Sequence, residues 1–150
     1  MIEARRASVW KRRYEFVTDE RRLATFAGSA WTSGGSLEVG ARRYDVRCNL
    51  IGSSYEMRDE GGGRVASAQR VGRKDWTIEA DGTTYQFHRT SPWRQEEELR
   101  VDGRRVGSVR RKSIWRGDAV SDLPGLPLAV EAFVLAVALT RWDSDAAGVG

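Results

Sequence analysis

Along most of the chain, apolar residues alternate with polar ones in short runs: Tyr44/Val46/Cys48, Trp76/Ile78/Ala80 and Tyr85/Phe87. A period of two is that of a strand with one face buried. Between the runs stand Gly34-Gly35, Gly61-Gly62-Gly63, Asp81-Gly82 and Asp102-Gly103. Asp-Gly between two strand patterns signals a hairpin, because a type I′ turn needs positive φ at both central positions. The period changes once. From Leu126 to Leu139 the chain is apolar except for Glu131, is rich in Ala and Leu, and carries Pro127 where a first helical turn tolerates it. This predicts a helix over 126–142, with Arg141 complementing its C-terminal dipole, and a disordered tail over 143–150. Such a helix is apolar all round, so protein or lipid must surround it. Its unbroken apolar part is shorter than the ~20 residues of a membrane span, which predicts a core helix and not an integral membrane protein. Once enclosed, Glu131 requires a partner such as an inward Arg or backbone donors.

The strand region repeats with a period of about 41 residues. Tyr14-Glu15-Phe16 matches Tyr55-Glu56-Met57, with Leu99 following in the third unit. After each comes a turn and a similar string: Arg22-Leu23-Ala24-Thr25, Arg64-Val65-Ala66-Ser67 and Arg105-Val106-Gly107-Ser108. Leu37-Glu38 matches Ile78-Glu79, and Tyr44-Asp45-Val46 matches Tyr85-Gln86-Phe87. Two units and a half are present, and the helix arrives where the third unit's second hairpin should be. A propeller needs at least ~4 blades and has no place for an apolar helix. Closing the strands of residues 8–122 into one antiparallel β-barrel of about 10–12 strands removes the free edges and gives the helix an interior to fill. The expected fold is therefore mainly β with one helix, a single domain in which residues 1–7 form a basic arm outside the barrel.

Charge and chemistry narrow the function without fixing it. Arg5, Arg6, Lys11, Arg12 and Arg13 against Glu3 account for the net charge of +4, and the rest of the chain balances. A basic arm of this kind is suited to an anionic surface. A second cluster, Arg104, Arg105, Arg110, Arg111 and Lys112, is split by strand parity and reads as a solvated hairpin. No catalytic or metal-ligating set and no cofactor is expected. His88 is the sole histidine and alternates out of phase with Tyr85 and Phe87, so it should face solvent. Cys48 is the sole cysteine and alternates onto the apolar face as a small buried hydrophobe. One Cys and one His do not make a metal set. Asp143-Ser144-Asp145 begins like a calcium loop but lacks its further ligands, and reads as frayed tail. Gly61-Gly62-Gly63 is followed by neither Lys-Ser/Thr nor a helix, so it is a turn and not a phosphate cradle. Glu96-Glu97-Glu98 reads as a solvated strand edge. Trp31, Trp76, Tyr85 and Phe87 fall at core-phase positions, unavailable for base stacking, which argues against nucleic acid. With a lone cysteine and an N-terminus lacking the apolar run of a secretory signal, a cytoplasmic monomer is expected.

The order of features resembles the tubby C-terminal-like superfamily, which includes the LURP-one-related proteins and phospholipid scramblases. The resemblance runs from about Trp10 to Trp142 and rests on the Tyr14-Glu15-Phe16 hairpin, Tyr55-Glu56-Met57-Arg58-Asp59 before Gly61-Gly62-Gly63-Arg64-Val65-Ala66, Trp76 to Tyr85, Val106-Gly107-Ser108-Val109, Leu123-Pro124, and the Leu-rich stretch with Glu131-Ala132-Phe133. It implies a closed barrel around a hydrophobic helix, in agreement with the residue pattern. For function it implies a non-enzymatic binding or scaffold domain whose outer surface meets an anionic, phosphoinositide-like lipid or a protein partner, peripheral to the membrane. No position matches a tubby lipid-binding motif, so the candidate contacts are the ten cations of the two clusters. The alternatives are a small-ligand-binding or hydrolytic protein with a pocket at a barrel mouth, and a C-terminally anchored membrane protein.

Overall fold

The computed structural model describes residues 1–8, 12–29, 34–91, 93–112 and 117–147, with backbone alone for 146 and 147. Among them are β1 (Ile2–Ser8), β2 (Arg13–Thr18), β3 (Arg21–Gly28), β4 (Gly35–Val39), β5 (Arg42–Cys48), β6 (Tyr55–Arg58), β7 (Arg64–Gln69), β8 (Asp75–Ala80), β9 (Thr83–Arg89), β10 (Glu96–Val101), β11 (Arg104–Arg111), β12 (Ala119–Asp122) and α1 (Leu128–Ala147). Each strand pairs antiparallel with the next. The barrel closes where β1 meets β12, through Ile2↔Ser121, Glu3↔Val120 and Ala4↔Ala119. Residues 1–7 are therefore not an arm: alternation of Ile2 and Ala4, both buried, makes them a wall strand.

That strand completes the internal repeat. β2–β5 form one four-stranded unit, β6–β9 a second, and β10, β11 and β12 with β1 a third. A register shift falls at the same place in each unit's first hairpin: at Phe16/Val17, at Met57/Arg58 and at Leu99/Arg100. Such bulges bend and twist a strand, as wall closure requires. Gly34-Gly35, expected in a turn, instead serves close packing. Gly35 opens β4, and a Cβ there would stand 2.4 Å from the Ala27 carbonyl oxygen.

The interior is filled by α1. Val130 and every residue from Ala132 to Leu139, with Trp142, are buried against inward side chains of the wall, among them Phe16, Phe26, Leu37, Met57, Ile78, Phe87, Leu99 and Val109. An all-round apolar helix is thus enclosed by protein, as expected. Glu131 is half-buried near the helix start. Ser121 Oγ donates to its Oε2 at 2.6 Å, and the Leu123 backbone N–H is a second donor, so the partners are a hydroxyl and an expected backbone group, not an Arg. Burial raises its carboxyl above the ordinary range, against the opposing effect of those hydrogen bonds.

The helix runs to Ala147, past the expected end at Trp142. Residues 143–147 are ordered helix, not tail, and Arg141 lies inside α1 and not in its last turn. No helix among the described residues is long and apolar enough to cross a membrane, which leaves strands out of account.

Candidate functional site

Antiparallel winding sorts the connections between the two barrel ends. At the end where α1 begins they are short: Asp19-Glu20, Gly40-Ala41, Asp81-Gly82 and Asp102-Gly103, with a longer one over 59–63. Asp81-Gly82 and Asp102-Gly103 have positive φ at both residues, the I′ geometry expected of them. At the end where α1 finishes lie the longer connections, over 9–12, 29–34, 49–54, 70–74, 90–95 and 112–118. Long connections on a rigid scaffold are where binding residues concentrate, so this rim is the candidate site.

The rim is built outward from the last turns of α1. Inward wall positions, apolar at mid-barrel, become charged here: Arg89 on β9, Glu97 on β10 and Arg111 on β11. Arg111 Nη2 donates to Asp143 Oδ1 at 3.0 Å, with side chains only 8 % and 11 % exposed. Arg111 also donates from Nε to Gln95 Oε1 at 2.9 Å and from Nη1 to the Gly117 carbonyl, and lies 5.3 Å over the Trp142 ring. Tyr14 OH donates to Asp143 Oδ2 at 2.7 Å. Burial and the Asp143 charge push that phenol up to about 12. Asp145 pairs with Arg89 Nη2 at 3.4 Å and with Arg141 Nε at 3.2 Å. Arg141 reaches on from Nη1 to the Gly52 carbonyl at 3.5 Å, and packs so closely on Gly72 that a Cβ there would lie 2.6 Å from its Cζ. Three helix residues thus tie together β2, β9, β11 and the 49–54 and 70–74 connections. A sequence reading of Asp143-Ser144-Asp145 as tail missed this hub; its one signal is Asp145 four residues after Arg141, the spacing of an ion pair along a helix.

Glu97 is the second surprise. Read as part of a solvated Glu96–Glu98 edge, it is 5 % exposed and points inward, in phase with Leu99. It stands in the place that Tyr14 and Tyr55 hold in the other two units. Burial pushes its carboxyl up to about 7, opposed by the neighbouring Arg89 charge and the Trp76 indole N–H. The indole is close but not aligned: Trp76 Nε1 and Glu97 Oε2 are both buried without a hydrogen-bond partner among the described residues.

The ten candidate cations do not form one surface. Arg5 is on the outer wall, 2.7 Å from Glu3 and 3.8 Å from Glu20. Arg6 lies 5.7 Å over the Tyr14 ring, and its backbone N–H donates to Asp118 Oδ1 at 3.0 Å. Lys11 lies outside the described residues, as do Trp10 and Trp31. Arg12 Nη2 donates to the Ser29 carbonyl at 2.8 Å, and Arg13 is exposed at the start of β2. Arg104 and Arg105 begin β11 at the opposite end, at the Asp102-Gly103 turn; Arg105 reaches along the wall from there to Glu98 at 3.5 Å and Glu96 at 3.8 Å. Lys112 Nζ is 3.1 Å from Glu3 Oε2 on the outer wall.

Arg110, Arg111 and Lys112 do meet at the rim. With Arg89, Trp93, Arg94, Gln95, Glu96 and Asp145 they line a cleft of about 580 Å³. Five cations face two carboxylates there, and Arg94 and Arg110, both exposed, have no ion-pair partner among the described residues. The histidine and cysteine are elsewhere. His88 points away from the core as expected, but its ring is largely covered and its Nδ1 is 2.7 Å from Asp75 Oδ1. Cys48 is only half-buried, and burial raises its thiol. Among the described residues no three or more His, Cys, Asp and Glu gather as for a metal ion. Comparison of the chain with protein-family models, curated proteins and solved structures gives no match.

Proposed function

We propose that this chain is a non-enzymatic binding domain that holds a phosphate-class anion in the cleft of Arg89, Arg94, Arg110, Arg111 and Lys112. The observation that carries it is the uncompensated charge of Arg94 and Arg110, two exposed cleft guanidiniums with no ion-pair partner among the described residues, whereas Arg111 and Lys112 are paired with Asp143 and Glu3. Guanidinium forks bind carboxylate and phosphate oxygens in pairs. Two unpaired guanidiniums suit a doubly charged group better than a single carboxylate. A lipid headgroup and a phosphorylated protein partner present the same chemistry. The twelve-stranded closed barrel around α1 supports placing the chain in the tubby C-terminal-like superfamily that its motif order resembles. A lone free cysteine is in keeping with a cytoplasmic setting.

Titration calorimetry with inorganic pyrophosphate at low salt tests this. The parent should bind, and Arg94→Glu with Arg110→Glu should weaken binding at least roughly tenfold without lowering thermal stability, since both side chains are exposed. A parent that releases no heat with pyrophosphate, or a double variant that binds as the parent does, would sink the reading.

A further inference from the structure

Three successive connections along one arc of the rim combine two features that the cleft does not explain. The 49–54 connection holds Leu50 fully exposed and Ile51 78 % exposed, and the 90–95 connection holds Trp93 92 % exposed. Between them, the 70–74 connection presents Arg70, Arg73 and Lys74, all exposed and none ion-paired among the described residues. Arg94 follows Trp93, and the three connections contain no Asp or Glu. We propose that this rim docks end-on against an anionic phospholipid surface, with Leu50, Ile51 and Trp93 set among the headgroups and Arg70, Arg73, Lys74 and Arg94 on the phosphates. This builds on the reading of the rim as the anion-facing end and names the source of the anion.

The exposure of the apolar tips is built in. Asn49 Oδ1 accepts from the Ser53 and Ser54 backbone N–H groups at 2.9 and 3.1 Å, its own N–H donates to the Ser54 carbonyl at 3.0 Å, and Gly52 N–H returns to the Asn49 carbonyl at 3.2 Å. Arg141 holds the Gly52 carbonyl from the helix side. A connection this well tied that still turns Leu50 and Ile51 to water is shaped for a partner, and little ordering remains to be done on contact. Trp93 N–H likewise donates to Ser91 Oγ at 3.1 Å, fixing its turn. Tryptophan suits the headgroup level because its ring is apolar with one polar edge. The arrangement favours lipid over protein. A protein interface has an apolar centre and a polar rim, whereas here the cations lie between two separated apolar tips. That matches a surface layered in depth, charged outside and apolar within. Apolar insertion plus basic charge is also the pair of weak signals that together hold a peripheral protein on a bilayer.

Sedimentation with phosphatidylcholine vesicles, with and without phosphatidylserine, provides the test. The parent should bind only the vesicles containing phosphatidylserine. Leu50→Ser with Ile51→Ser should weaken that binding at least roughly tenfold while leaving pyrophosphate affinity unchanged. In a Cys48→Ala background, an environment-sensitive fluorophore on Leu50→Cys should shift to the blue on these vesicles, and one on Val101→Cys, exposed at the opposite end, should not. No binding to phosphatidylserine vesicles, unchanged binding by the Leu50/Ile51 variant, or a shift at Val101 in place of Leu50 would each overturn the docking. Pyrophosphate binding distinguishes the two readings: if it persists while vesicle binding fails, only the docking falls, and if it fails while the vesicle and tip results hold, only the cleft does.

Discussion

Removing Asp143 should unfasten the barrel from its helix. The Arg111–Asp143 pair spans 3.0 Å and is almost wholly covered. Asp143→Ala leaves a buried guanidinium short of its counter-charge and strips the Tyr14 hydroxyl of its acceptor. Breaking one side of a buried pair costs roughly 3–5 kcal/mol. Arg111 keeps Gln95 and Gly117 as acceptors, which places the loss toward the lower end. The orphaned Tyr14 hydroxyl adds about 1 kcal/mol. A total of roughly 4 kcal/mol corresponds to a fall in Tm of about 8–16 °C for a chain of this size. Arg111→Met combined with Asp143→Leu should cost far less than Asp143→Ala alone, since paired apolar replacements remove the desolvation problem with the pair. Urea denaturation of the parent, Arg111→Met, Asp143→Leu and the double variant closes the cycle, and a coupling of roughly 2 kcal/mol or more is expected. Should Asp143→Ala stay within about 0.5 kcal/mol of the parent, or should the two single effects simply add, the helix end is not held by this pair.

Glu97 predicts a pH dependence. Its folded value, near 7, lies above the ordinary 4.5, so the folded state holds its proton more tightly; the stability this brings is complete below about pH 4.5 and lost as pH rises through 7. Glu97→Gln should remove that slope and be more stable than the parent at pH 8 by about 3 kcal/mol, and urea midpoints with the same slope in both proteins from pH 4.5 to 7.5 would contradict it. Gly72→Ala forces a side chain into φ +90° and onto the Arg141 guanidinium, for an expected loss of roughly 1–3 kcal/mol, read as Tm. Deleting residues 123–150 empties the barrel, so the remaining strands should be insoluble or unfolded; a soluble fragment with cooperative melting would show that the wall stands without α1.

The wall and its filling were legible because two independent periods, two residues within strands and about 41 between units, agree. The strand β1 was harder to read. Charge made Glu3-Ala4-Arg5-Arg6 resemble a solvated arm, while its true signal, the alternation of Ile2 and Ala4, is only two apolar residues long. The same bias hid Glu97, since three glutamates in a row look like surface although parity with Leu99 points the middle one inward. At the rim, Arg104 and Arg111 are close in sequence yet end up at opposite ends of the barrel, because β11 runs the length of the wall between them. Pairing partners such as Asp143 for Arg111 lie on another element altogether, and no local pattern reports them.

The closure of β1 on β12 also sets the order in which the molecule can assemble. Ile2 and Ser121 are about 120 residues apart, so the closing seam joins β1 to a strand synthesised long after it. Until residue 122 has been synthesised, β1 has only β2 beside it and offers an open edge to any other strand nearby. At ribosomal rates of roughly 5–20 residues per second that exposure lasts several seconds to tens of seconds. The outward Glu3 and Arg5 of β1 keep charge on the edge that must stay solitary longest.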